Sequence, residues 1–95
     1  MSISNHIKKD KRTVLVLGAT GMLGNAIFRY LSSKEFHKVY GSVRSHTSKK
    51  LFKKSLRNNL IPNINFNSDK KIANLFSLVN PDIVINCIGV IKQSD

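Results

Sequence analysis

Thr13-Val14-Leu15-Val16-Leu17-Gly18-Ala19-Thr20-Gly21-Met22-Leu23-Gly24 is the stretch on which the fold turns. Residues 13–17 are continuously apolar or β-branched, which suits a strand covered on both faces, as in a parallel sheet. The run stops at Gly18 and the period changes. Leu23, Ala26, Ile27, Tyr30 and Leu31 recur at helical spacing, predicting a helix over about 22–33 with these residues on one face. Three glycines separate strand from helix. Gly18 permits a tight turn, Gly21 lets the backbone approach an anion, and Gly24 lets the helix pack close to the sheet. Thr20, Met22 and Leu23 complete the turn. Free N–H groups and the positive end of the helix dipole there face a diphosphate. A strand before the glycines and a helix after them is the context that separates a dinucleotide-binding loop from chance glycines.

Working outward, residues 39–43 read as a second strand and 49–56 as a short helix. Residues 61–66 read as a third strand, with Pro62 near its start, where a missing N–H does least harm. Ser68 is placed to cap a further helix, on which Ile72, Leu75, Phe76 and Val79 share a face. Asn80-Pro81 ends it, because the residue before proline avoids helical geometry. Residues 82–88, nearly all apolar, read as a fourth strand. Alternating strands and helices predict an α/β fold with a parallel sheet and flanking helices. The expected organisation is a basic amino-terminal tail over 1–12 and a partial Rossmann-type domain over 13–95. About four strands are expected where a complete doubly wound domain has about six. The fourth strand is therefore expected to form an uncovered apolar edge and stability to be thin.

Composition narrows the function classes. The 95 residues carry 16 Lys and Arg against 5 Asp and Glu, a formal net charge of +11. That balance favours anionic ligands. The cations are scattered or fall in two runs, Lys8, Lys9, Lys11 and Arg12, then Lys49, Lys50, Lys53, Lys54 and Arg57. No aromatic residues interleave with them as a nucleic-acid stacking platform requires, so no nucleic-acid partner is expected. A nucleic-acid binder would show a gel shift that weakens steeply with salt. No apolar run approaches the ~20 residues that span a bilayer, and the amino terminus lacks the apolar core of a secretory signal. With a single cysteine, neither an internal disulfide nor a metal cluster is expected. These features point to a cytoplasmic protein without a membrane partner.

Two motifs carry a family resemblance. Gly18-Ala19-Thr20-Gly21-Met22-Leu23-Gly24 resembles the fingerprint of the extended short-chain dehydrogenase/reductases. Asn80-Pro81-Asp82-Ile83-Val84-Ile85-Asn86-Cys87-Ile88-Gly89 resembles a strand of the dTDP-4-dehydrorhamnose reductases and related sugar-nucleotide reductases of polysaccharide synthesis. Val90-Ile91-Lys92-Gln93 continues the likeness. The resemblance implies an NAD(P)-dependent oxidoreductase that reduces a keto-sugar nucleotide. It implies that Cys87, Ile88 and Gly89 pass beneath the pyrophosphate and nicotinamide ribose, and that Asn65 stands where the family often has an adenine-binding Asp. Cys87 itself reads as a small buried hydrophobe rather than a nucleophile.

The cofactor is read from the end of the second strand. An acidic residue about 20 residues beyond the glycine turn would bind the 2′-hydroxyl of NAD. Val43-Arg44-Ser45-His46 stands there instead. Arg44 suits a forked contact to a 2′-phosphate and Ser45 adds a hydroxyl, so NADP(H) is favoured over NAD(H). His46 reads as an exposed loop residue. The superfamily's catalytic Tyr-x-x-x-Lys has one match in spacing, Tyr30-Leu31-Ser32-Ser33-Lys34. It lies on the helix that carries the pyrophosphate, far from any nicotinamide, and reads as coincidence. No catalytic residue is therefore assigned, and the chain alone is not expected to transfer hydride. The alternatives are an epimerase or dehydratase of the same superfamily, and a non-catalytic dinucleotide-binding regulatory module.

Overall fold

A computed structural model describes residues 11–35, 37–62, 64 and 67–88. Along the chain run β1 (Arg12–Leu17), α1 (Met22–Ser32), β2 (His37–Ser42), a 3₁₀ helix (His46–Leu51), α2 (Lys54–Arg57), β3 (Leu60–Ile61), α3 (Asp69–Val79) and β4 (Ile83–Asn86). The strands form a single parallel sheet in the order β3-β2-β1-β4. The chain steps outward from β1 to β2 to β3, then crosses back to set β4 on the other side of β1. This is the α/β arrangement that the alternating pattern predicts.

The unbroken apolarity of β1 serves two faces. Val14 and Val16 join a core cluster with Ala19, Phe28, Val39, Val43, Phe52 and Leu60, beneath α1. Leu15 and Leu17 join Leu75 and Val79 beneath α3. Side chains alternate across a strand, so a centrally placed strand needs apolar residues at every position. The face of α3 is as its spacing predicts. Ser68 accepts a hydrogen bond from Lys71 N–H at its start, and Asn80 closes its end in the left-handed region at φ 50°.

Four expectations are corrected. First, the packed face of α1 is Gly24, Ile27, Phe28 and Leu31; Leu23, Ala26 and Tyr30 face solvent. Contact between Gly24 and the Gly18 carbonyl fixes the helix rotation, and Phe28 follows it inward. Second, the expected helix over 49–56 divides into the 3₁₀ helix and α2. Phe52 lies between them in extended conformation and meets the Phe28 ring edge to face, centroids 5.5 Å apart. Such a pair adds about 0.5–1.5 kcal/mol beyond its area, enough to favour the break. Third, among the described residues β3 comprises Leu60–Ile61. Pairing with β2 runs through Val43 N–H to the Ile61 carbonyl. Pro62 lies just past the strand and has no N–H to extend the ladder. Asn63, Asn65 and Phe66 lie outside the described residues. Fourth, β4 is shorter than 82–88. Asp82 precedes it, and after it the Asn86 side-chain oxygen accepts Ile88 N–H at 3.0 Å, bending the chain out of the sheet.

Asp82 secures the start of β4. Its N–H donates to the Thr13 carbonyl at 2.8 Å, and its carboxylate accepts Thr13 N–H at 2.8 Å. β4 is the outer strand beside β1, and Ile83 and Val84 remain 40% and 38% exposed. No helix among the described residues is long and apolar enough to cross a membrane.

Candidate functional site

The strand order reverses between β1 and β4, and ligands of open α/β sheets bind beyond the carboxyl ends of the strands at such a point. The chain opens a cleft there of ≈ 210 Å³. Gly18, Thr20 and Gly21 form one side, Ser42, Val43 and Arg44 a second, and Cys87 and Ile88 a third, with Ile64 also lining it. Six of the residues singled out from sequence thus meet in one place.

The glycine turn is built by contact as much as by conformation. Gly18 has φ +81°, a region that costs a side chain but not glycine. A Cβ on Gly24 would run into the Gly18 carbonyl oxygen, so α1 lies against the turn only because that Cβ is missing. Gly21 differs. Among the described residues a Cβ there would find only the Gly18 oxygen, at 3.8 Å, so none of their atoms requires this glycine, and the space they leave beside it is open. Gly21 is the N-cap of α1 and gives no side-chain hydrogen bond, and no acidic residue occupies the first turn. The first main-chain bond of the helix is Asn25 N–H to the Gly21 carbonyl. The N–H groups of Met22, Leu23 and Gly24 precede it and lack acceptors within the helix. Met22 is 92% exposed. Met22, Leu23 and Gly24 are not among the residues lining the cleft.

The other sequence candidates divide. Arg44 is exposed, lines the cleft and has no ion-pair or hydrogen-bond partner among the described residues. Ser45 lies outside the lining; its hydroxyl is shared with Thr47 Oγ1 at 3.0 Å and Ser48 Oγ at 2.9 Å. His46 is exposed. Cys87 is half-buried and packs against the α1-side core. Asn65 and Gly89 lie outside the described residues. Sequence reasoning passed over Ser42, which is 1% exposed. Its hydroxyl accepts Gly18 N–H at 2.9 Å and its carbonyl accepts Ala19 N–H at 2.8 Å. A lone serine closing an apolar strand beside the glycine turn was the available signal. Tyr30 and Lys34 form a surface pair instead, with Lys34 Nζ 4.7 Å from the Tyr30 ring centroid. Tyr30 lies roughly 12 Å along the axis from the start of α1 at ~1.5 Å per residue.

These features fit a nicotinamide dinucleotide. Unbonded helix-start amides, an open space beside Gly21 and an uncompensated guanidinium at the rim each match an anionic ligand. A parallel sheet with this order and this turn defines a Rossmann-type dinucleotide-binding protein. The model of the NAD dependent epimerase/dehydratase family matches residues 14–95, and the chain belongs to that family, within the extended short-chain dehydrogenase/reductases. Its cofactor class is accordingly a nicotinamide dinucleotide. Comparison with curated proteins and with solved structures gave no match.

Proposed function

We propose that this chain is the NADPH-binding portion of a reductase acting on a keto-sugar nucleotide. The observation that supports the cofactor assignment is Arg44 on the cleft wall, without a carboxylate partner among the described residues, beside the glycine turn. When bound, the cofactor supplies hydride. The chain's own residues bind and orient it. The amides at the start of α1 hold the diphosphate, Arg44 holds the 2′-phosphate, and Cys87 and Ile88 form the floor near the nicotinamide ribose. Thr20 borders the same diphosphate site. On this reading Ser45 adds a hydrogen bond beside Arg44, and the family resemblance assigns Asn65 to the adenine and Gly89 to close approach of the cofactor, both outside the described residues. The sugar-nucleotide substrate rests on the likeness of residues 80–93 to the dTDP-4-dehydrorhamnose reductases. Within that stretch Asp82 has an architectural duty, tying β4 to β1.

Titration with NADPH and NADH tests the assignment. Replacing Arg44 with alanine is expected to weaken NADPH by about 1–3 kcal/mol and to leave NADH nearly unchanged, since only NADPH carries the charge that the guanidinium meets. Equal losses for the two would remove the NADP preference and leave the dinucleotide site standing.

A further inference from the structure

We infer that Ser42 is the positioning residue of the dinucleotide turn, a role that rests on the cofactor reading above. β1 and β2 are paired in parallel with Val16 opposite Gly41, so Ser42, the last residue of β2, lies where β1 gives way to the turn. From there one residue satisfies both amides that open it. Its hydroxyl accepts Gly18 N–H and its carbonyl accepts Ala19 N–H. Gly18 is also the residue whose backbone sits at φ +81° and whose carbonyl abuts Gly24. Fixing Gly18 therefore fixes the start of α1 and the direction of its free amides.

Ser42 leads directly into Val43 and Arg44, which line the same cleft. The strand end that presents the guanidinium thus also sets the diphosphate turn. Alanine at position 42 would keep the carbonyl bond but leave Gly18 N–H, in a partly buried place, without its acceptor. Such a group seeks a new partner rather than stay unsatisfied, and the turn moves with it. The damage falls on the diphosphate, which NADPH and NADH share. This separates Ser42 from Arg44, whose loss distinguishes the two cofactors.

The test is a set of titrations of the whole chain with NADPH, NADH and adenosine 2′-monophosphate, which has no bridging diphosphate. Ser42→Ala is expected to weaken both dinucleotides by the same factor, about tenfold for one lost hydrogen bond. Binding of the monophosphate should change less than about twofold, and Ser42→Thr, which keeps the hydroxyl, should restore dinucleotide binding. Should Ser42→Ala not fold, Ser42→Cys, of similar size with a weak acceptor, is read in the same way. Unchanged dinucleotide affinity, or an equal loss for all three ligands, overturns the positioning role while leaving the cofactor assignment intact. A wild-type chain that binds neither dinucleotide overturns both.

Discussion

At the scale of single residues, the three glycines of the turn are unequal, and experiment should separate them. Gly24 and Gly18 are held by the protein's own atoms, whereas the space beside Gly21 is empty. Gly21→Val is therefore expected to lower unfolding free energy only by the roughly 1 kcal/mol of a poorer N-cap residue, with no clash to relieve. The same change should abolish measurable NADPH binding, because the branched side chain fills the approach to the α1 amides. Paired denaturation and titration would check this, and a large loss of stability would show that the glycine is structural after all. The turn and Arg44 were legible because their meaning lies in spacing along the chain. Ser42, Gly41 and Phe28 were not, because theirs lies in what stands opposite. A Cβ on Gly41 would come within 2.9 Å of the Ala19 Cβ and 3.0 Å of the Phe28 ring. Nothing in a run of strand residues announces that a ring from another element needs the room.

At the scale of elements, long segments with a clear period emerged close to their expected bounds. β1, α1 and α3 did so because burial on one or both faces writes itself into the sequence. The rotation of α1 did not, since Tyr30 and Leu23 are as apolar as the residues that turned inward, and only the approach at Gly24 decides between the faces. The segment 46–57 failed for a related reason. Its helical pattern was weak, and one aromatic side chain drawn into the core was enough to divide it. Asp82 illustrates how a short motif combines two uses. Its pair of hydrogen bonds with Thr13 joins β4 to β1, a structural duty that any substrate would share. Asp82→Ala is expected to lower stability by about 1 kcal/mol. In a urea titration this would appear as a lower midpoint with an unchanged slope, and cofactor affinity at saturating stability should be unaltered. No fall in the midpoint would show that the carboxylate contributes nothing to the join.

At the scale of the whole molecule, charge dominates. The chain carries a formal net charge of +11 and has no carboxylate from residue 36 to residue 68. Long-range attraction of anions to such a charge is screened by salt, with a Debye length of about 10 Å at 0.1 M. NADPH affinity is therefore expected to fall on going from low to high ionic strength, and to fall more steeply than NADH affinity, because the 2′-phosphate adds charge. Parallel slopes for the two would indicate that only the diphosphate experiences the field. The same excess charge makes a mobility-shift control with duplex DNA informative. Absence of a shift at salt concentrations where NADPH still binds would locate the attraction in the cleft rather than over the surface at large.

Among the described residues lining the cleft there is no Asp, Glu, His or Lys. A pH dependence that separates NADPH from NADH is therefore expected to come from the ligand's own phosphate. A phosphate monoester takes up its second proton near pH 6, while a bridging diphosphate has no such step nearby. Between about pH 7.5 and 5, calorimetry with the acid-stable oxidised forms should show NADP⁺ loosening as its 2′-phosphate loses one negative charge, with NAD⁺ held evenly throughout. A matching decline for NAD⁺ would mean that an acid-sensitive side chain reaches the ligand.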